Sequence, residues 1–133
     1  MSDLKFPDDL KYTESDEWLR VEGDEVTLGL TDYAQDALND IVYVELPEVG
    51  DTFDAGESPG SVESVKAASD FYTPVGGEVT AVNAALEDDP EVINSDPYGK
   101  GWIAVIDLIE PGAVEALMTA AQYEAFLASQ KKG

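Results

Sequence analysis

The sequence of 133 residues contains no cysteine and no histidine. Without cysteine the chain has no disulfide, no thiolate nucleophile and no thiolate metal site. Without histidine it lacks the commonest metal ligand and the usual general base near neutral pH. Hydrolases that rely on a serine–histidine pair, a cysteine–histidine pair or zinc are therefore excluded, and we expect neither catalytic residues nor a metal site.

Positive charge is scarce as well, because 7 Lys and Arg stand against 29 Asp and Glu, giving a formal net charge of −22. Such a chain repels phosphates and anionic lipids, so we expect no nucleic acid partner and no membrane partner. No apolar run approaches the roughly 18 residues that cross a bilayer, and the start MSDLKFPDD does not resemble a signal peptide, so a cytoplasmic protein is expected. The acidic residues are spread over nearly every loop, which favours adaptation to high salt, as in a halophile, over a docking surface for basic partners.

The chain does contain many short β-type segments separated by turn residues, which predict one mainly β domain over residues 1–133. Residues 18–21 and 26–30 predict a hairpin, and Thr31 or Asp32 can begin a helix of about two turns that ends at Asn39. IVYVEL and WIAVIDLI predict two further strands, and NSDPYGKGW predicts a loop. After Pro111 two short helices are expected as a C-terminal cap at about residues 112–129, the second beginning with a capping box at 119–122.

One lysine, Lys66 in ESVKAASD, lies among small side chains near the midpoint of a Gly- and Pro-rich β segment over residues 49–83. A hairpin tip at residues 65–67 would lack the Gly, Asn or Asp that tight turns normally use. The small neighbours leave Lys66 accessible to another protein. Taken alone, the segment favours an ordinary solvated surface lysine, which most lysines are.

The flanks of this lysine, VGDTFDAGE before it and PVGGEV after it, resemble the biotinyl/lipoyl carrier domains. Its neighbours Val65 and Ala67, where biotin carriers usually have methionines, favour lipoyl over biotin. The resemblance narrows to the glycine cleavage H-protein family over nearly the whole chain, through GLTDYAQDALNDIVYVELPEVGD, VESVKAASD and GEVTAVNAALEDDPEVINSDPYGKGW. It implies a lipoyl-domain-like barrel-sandwich hybrid of two small antiparallel sheets, with a short helix after the first hairpin and two short C-terminal helices.

The resemblance also implies a function, in which lipoate is joined by an amide to Lys66 and the chain is a monomeric, non-catalytic carrier. A lipoate-attaching enzyme would load the lysine. The P protein, a pyridoxal-phosphate glycine decarboxylase, would pass an aminomethyl group to the arm, the T protein would transfer it onward, and dihydrolipoamide dehydrogenase would reoxidise the dithiol. Two alternatives stay open: a relay protein that donates lipoyl or octanoyl groups to other complexes, and an acidic structural domain with Lys66 unmodified.

The loaded arm is expected to fold back onto the protein near the segments SDEW and KAASD. Candidate docking residues there are Ser15, Glu17 and Asp70, with solvated surface acids as the alternative interpretation of the two carboxylates. One position departs from the family pattern, since Asp16 stands where the family usually has histidine. Any role that needs an imidazole at that position is therefore in doubt.

Overall fold

The computed structural model describes residues 4–131 and contains two antiparallel sheets, as the sequence predicts. The predicted domain of residues 1–133 extends beyond the described residues at both ends. In chain order the strands are β1 (Lys11–Tyr12), β2 (Glu17–Glu22), β3 (Glu25–Leu30), β4 (Ile41–Glu45), β5 (Thr52–Phe53), β6 (Gly60–Ser64), β7 (Ala68–Phe71), β8 (Gly77–Val82) and β9 (Ala104–Leu108). The larger sheet has the order β1-β2-β3-β9-β8-β5 and the smaller one β4-β6-β7.

The first hairpin and the helix after it form for the predicted reasons. Strands β2 and β3 pair from Glu17 opposite Leu30 to Glu22 opposite Glu25, and Gly23 turns between them with a φ of 63°. Helix α1 (Asp32–Leu38) begins where the Thr31 side chain accepts a hydrogen bond from the backbone N–H of Ala34 at 3.1 Å. It ends at Asn39, whose φ of 66° and ψ of −151° leave the helical conformation and whose backbone N–H donates to the carbonyl of Gln35 at 3.0 Å.

Two four-residue helices that the sequence does not predict, α2 (Ala85–Asp88) and α3 (Val92–Ser95), precede the predicted loop over residues 94–102, which overlaps only the last two residues of α3. Each turns only once and contributes a single fully buried apolar side chain, Leu86 or Ile93. A segment this short shows no helical period in the sequence. Its helical turns were therefore missed.

The two predicted C-terminal helices are a 3₁₀ helix (Pro111–Ala116) and a longer α-helix, α4 (Ala120–Lys131). The capping box is confirmed, because the backbone N–H of Gln122 donates to the Thr119 hydroxyl at 3.2 Å while the Thr119 N–H donates to the Gln122 side chain at 2.9 Å. Together, the 3₁₀ helix and α4 are the two short C-terminal helices that the sequence predicts, and α4, with 12 residues, is the longer of the two.

The apolar side chains form two clusters. The larger one is shared by both sheets and includes Leu28, Val62 and Ile106. The smaller one packs α4 against β1 and β2 through Tyr123 and Trp18. Within residues 4–131, no helix combines the length and the apolar character that crossing a membrane requires.

Candidate functional site: a lysine hairpin beside a cavity

The lysine singled out by the sequence lies at the tip of a β-hairpin. Strands β6 and β7 pair as far as Glu63 opposite Ala68, and residues 65–67 connect them. Lys66 and both its neighbours are exposed. Within residues 4–131 only Asp16 and Asn39, among the residues other than glycine, have positive φ, so the tip forms without left-handed backbone.

The Ser64 side chain explains how this turn forms without glycine. Its hydroxyl oxygen accepts hydrogen bonds from the backbone N–H groups of Lys66 at 3.1 Å and Ala67 at 3.0 Å. The same hydroxyl lies 3.0 Å from the carbonyl oxygen of Ala67, to which it donates. A serine that bonds the backbone two and three residues later replaces the turn residues that the sequence lacks. Sequence reasoning missed Ser64, although a serine directly before a glycine-free tip is a usable signal.

The tip also contacts the end of helix α1. The backbone N–H of Val65 donates to the carbonyl of Asp40 at 3.0 Å, and the Lys66 ammonium donates to the carbonyl of Ala37 at 3.3 Å. Carbonyl groups in the last turn of a helix lack helical partners and carry partial negative charge, which suits a cation. The functional group of Lys66 therefore lies against helix α1 while staying accessible to solvent.

Helix α1 is fixed in turn by Asn94 of α3. The Asn94 side chain accepts from the backbone N–H of Ile41 at 2.9 Å and donates to the carbonyl of Asn39 at 2.8 Å and to the Gln35 side chain at 2.9 Å. These bonds connect α1, the start of β4 and α3. Sequence reasoning missed this contribution because it missed α3.

A cavity of about 200 Å³ lies between α1, the loop before β2 and the lysine hairpin. Its apolar wall is formed by Leu30, Ala34, Ala37, Leu38 and Val62. Its polar wall is formed by Ser15, Asp16, Ser69 and Asp70. Because Ala37 both lines the cavity and accepts the Lys66 hydrogen bond, the end of the lysine side chain lies at the rim.

Glu17, the third predicted docking residue, lies apart from this wall. It is only 1% exposed, and its Oε1 accepts from the hydroxyls of Thr13 and Ser15, both at 2.6 Å. Its Oε2 accepts from the backbone N–H of Tyr72 at 2.9 Å. Burial raises the pKa of Glu17, and these hydrogen bonds partly oppose that rise. The structure therefore brings Ser15 and Asp70 to the cavity. Glu17 does not line the cavity, but its carboxylate accepts the hydrogen bond of the Ser15 hydroxyl and so orients it.

Asp16 was not predicted as a site residue, yet it lines the cavity. Its backbone is left-handed, with φ 75°, and its Oδ1 accepts from the Tyr123 hydroxyl of α4 at 2.8 Å. Burial raises the pKa of Asp16, while the Tyr123 hydrogen bond acts in the opposite direction. The available signal in the sequence was that Asp16 replaces the family's usual histidine. The sequence analysis noted this replacement but assigned Asp16 no role.

The described residues include no group of three or more acidic side chains arranged to hold a metal ion. An exposed lysine on a hairpin of one sheet, beside a cavity with one apolar and one polar wall, suits a covalently attached arm that can rest against the protein. The fold and the site thus define a carrier domain of the lipoyl type.

Comparison with known proteins identifies the family. The family model for "Glycine cleavage H-protein" matches residues 10–130. The chain is 53% identical over 124 residues to the glycine cleavage system H protein of Listeria monocytogenes serotype 4a (strain HCC23), covering 93% of this chain and 99% of that protein. It is 58% identical over 122 residues to that of Psychrobacter sp. (strain PRwf-1), covering 91% and 97%. A crystal structure of the Mycobacterium marinum H protein superposes with a TM-score of 0.83 at 42% identity, covering 96% of this chain and 100% of that one. The chain belongs to the glycine cleavage H-protein family.

Proposed function

We propose that this chain is the lipoyl carrier of the glycine cleavage system and that lipoate is attached to Lys66. The observation that carries the proposal is the position of Lys66 at an exposed hairpin tip in a chain that matches the H-protein family over residues 10–130. When bound, lipoate supplies a disulfide that is reduced as it accepts an aminomethyl group, and the protein determines where that disulfide lies.

The residues around Lys66 fit such a group. An amide at Nζ keeps one N–H, which can still donate to the Ala37 carbonyl that the ammonium now contacts at 3.3 Å. The apolar wall of the adjoining cavity suits a hydrocarbon chain, and the Ser15 hydroxyl and Asp70 carboxylate can accept hydrogen bonds from an amine at its end. Glu17 contributes to arm docking by orienting the Ser15 hydroxyl, with which it shares a 2.6 Å hydrogen bond.

The carrier in this proposal performs no chemistry itself, and every reaction belongs to a partner. The P protein loads the arm with the aminomethyl group from glycine, the T protein removes it, dihydrolipoamide dehydrogenase reoxidises the dithiol, and a lipoate-attaching enzyme modifies Lys66 beforehand. An exposed tip on a monomer in the cytoplasm allows each of these enzymes to reach the same lysine.

The test is the intact mass of natively purified chain, with fragmentation to locate any addition, followed by glycine–bicarbonate exchange with P protein. We expect one lipoyl group on Lys66, loss of that mass in Lys66→Arg, and wild-type modification in Lys100→Arg, which alters another exposed lysine. Lipoyl on Lys100 in the wild type would refute the assignment. A lipoylated chain that does not support exchange would favour the relay function.

We also infer that the charge of −22 reflects adaptation to high salt, because the acids lie on many separate exposed loops and strands. Raising the salt concentration from about 0.1 M to about 1 M shortens the Debye length from roughly 10 Å to roughly 3 Å and weakens repulsion between these acids. Thermal melts over that range are expected to show a rising midpoint. A flat or falling midpoint would favour a docking surface for basic partners instead.

A further inference from the structure

Two carboxylates line the cavity beside Lys66, and they differ in environment. Asp70 is exposed, whereas Asp16 is partly buried. Glu17, the nearest other acid in sequence, has both carboxylate oxygens occupied by hydrogen bonds from the protein. Because charges attract more strongly where solvent screens them less, a cation in the cavity gains more from Asp16 than from Asp70.

A directed set of hydrogen bonds holds Asp16 in place. The Thr31 hydroxyl oxygen already accepts from the backbone N–H of Ala34, so its proton is free to donate to the Tyr123 hydroxyl 2.8 Å away. The Tyr123 hydroxyl then donates to Asp16 Oδ1 at 2.8 Å. Burial raises the pKa of Tyr123, which keeps this hydroxyl protonated and able to donate.

The other oxygen of Asp16, Oδ2, accepts no hydrogen bond from any residue within 4–131. No buried side-chain oxygen among the described residues lacks a hydrogen-bond partner, so Oδ2 is accessible to solvent on a residue that lines the cavity. Burial of the remainder of the carboxylate raises the pKa of Asp16. A cation that enters the cavity can therefore pair with Oδ2.

We propose that Asp16 binds the primary ammonium at the end of the loaded arm, and that Tyr123 is a positioning residue that orients the Asp16 carboxylate toward it. The inference rests on the proposed function, which supplies the arm on Lys66. In this proposal the residue that binds the ammonium, Asp16, stands where the family usually has histidine. It lies outside the predicted docking set of Ser15, Glu17 and Asp70.

Helix α4 contributes to the site through this contact. Tyr123 is fully buried, its ring stacks on Tyr12 at 4.9 Å between centroids, and the ring of Phe6 meets it edge-on at 5.3 Å. The aromatic cluster fixes the Tyr123 ring and hence the direction of its hydroxyl. The smaller core cluster thereby determines where Asp16 points.

The first experiment tests the cavity independently of lipoylation. Because the chain has no cysteine, a Lys66→Cys variant offers a single thiol for a tether about as long as lipoyl-lysine. One tether ends in an ammonium and the matched control tether ends in a hydroxyl. Carbon-13 NMR then follows the titration of the Asp16 and Asp70 carboxyl groups.

We expect the Asp16 titration midpoint to lie at lower pH with the ammonium tether than with the hydroxyl tether, because a nearby cation favours the ionised form. In a variant that also carries Tyr123→Phe, the difference should shrink. Equal Asp16 midpoints with the two tethers would overturn the proposal, whether or not Asp70 moves. An undiminished difference after Tyr123→Phe would overturn the positioning role.

The second experiment uses the lipoylated carrier loaded by P protein and measures ammonia release without T protein. When the arm leaves the cavity, water hydrolyses the aminomethyl group to ammonia and formaldehyde and leaves the free thiol, so faster release reports a less sheltered arm. Asp16→Asn suits this test because asparagine tolerates left-handed backbone and can still accept the Tyr123 hydrogen bond, so mainly the charge changes. Glu87→Gln, an exposed acid on α2 outside the cavity wall, controls for net charge.

Asp16→Asn is expected to release ammonia about fivefold faster than Glu87→Gln, which is the change that roughly 1 kcal/mol of lost ion-pair free energy produces. Lipoylation and loading of Glu87→Gln should equal those of the wild type, and ammonia release is compared per mole of loaded carrier. Equal ammonia release in the two variants would refute the role of Asp16 and leave the carrier function intact. A wild type that cannot be lipoylated would refute the proposed function, while the tether titration would still decide the role of Asp16.

Discussion

Replacing Ser64 with alanine should loosen the lysine tip without unfolding the domain. The hydroxyl makes three contacts with the tip backbone, at 3.1, 3.0 and 3.0 Å to Lys66 N, Ala67 N and Ala67 O. Each such bond contributes about 0.5–1.5 kcal/mol net, and at an exposed tip water replaces most of that. A total near 1 kcal/mol is therefore expected, or about a fivefold fall in the ratio of ordered to disordered tip.

Hydrogen exchange and lipoylation measure this loss directly. The amide of Ala67 donates to Ser64, so it should exchange about five times faster in Ser64→Ala than in the wild type. Lipoylation of Lys66 should slow by a similar factor, because the attaching enzyme then meets the ordered tip less often.

Two further variants show whether the hydroxyl is responsible. Ser64→Thr retains the hydroxyl and should restore exchange and lipoylation toward wild-type rates. Ser61→Ala removes a hydroxyl from the same strand that makes only a 3.3 Å contact with Glu45, and should change neither. Wild-type exchange and wild-type lipoylation in Ser64→Ala would refute the role assigned to this side chain.

Two other predictions concern stability. The pKa of Glu17 is raised by burial, so its contribution to stability is greatest below its unfolded value of about 4.5 and is lost as pH rises through the folded value. The unfolding free energy of the wild type minus that of Glu17→Gln should therefore fall with rising pH in urea titrations, and a constant difference would contradict the shift. Thr119→Ala should lower the unfolding free energy by about 1 kcal/mol, because it removes the N-terminal cap of α4. Thr119→Ser, which keeps the hydroxyl, should be close to the wild type in the same titrations. Equal unfolding free energies of Thr119→Ala and the wild type would contradict the capping role.

The sequence predicted those features that depend on local patterns. The first hairpin, the cap at Thr31, the capping box at Thr119 and the tip at Lys66 each follow from a few neighbouring residues. The place of β9 between β3 and β8 depends on pairing across more than 70 residues, as between Val26 and Ile106, and no local pattern specifies it.

The candidate site was only partly predictable for the same reason. Lys66 and the docking candidates Ser15, Glu17 and Asp70 were predicted through the family resemblance, and the structure places Ser15 and Asp70 at the cavity and Glu17 apart from it. In a chain with 29 acids, nothing local distinguishes the buried Glu17 or the cavity-lining Asp16 from surface charge. The Asp16 contact with Tyr123 joins residues 107 positions apart, and only the packing of α4 brings them together.

Under the proposed function, the closeness of the lysine and the cavity determines how tightly an arm on Lys66 must be held. Lys66 already contacts Ala37, which lines the cavity, so capture of a tethered arm is an intramolecular event. Short flexible tethers give effective concentrations on the order of millimolar, so an intrinsic dissociation constant of about 1 mM would keep the arm bound about half of the time. That corresponds to only about 4 kcal/mol of intrinsic binding free energy, which a partner enzyme can readily overcome. A weak intrinsic affinity is thus enough to keep the arm in the cavity for about half of the time and still lets a partner enzyme withdraw it.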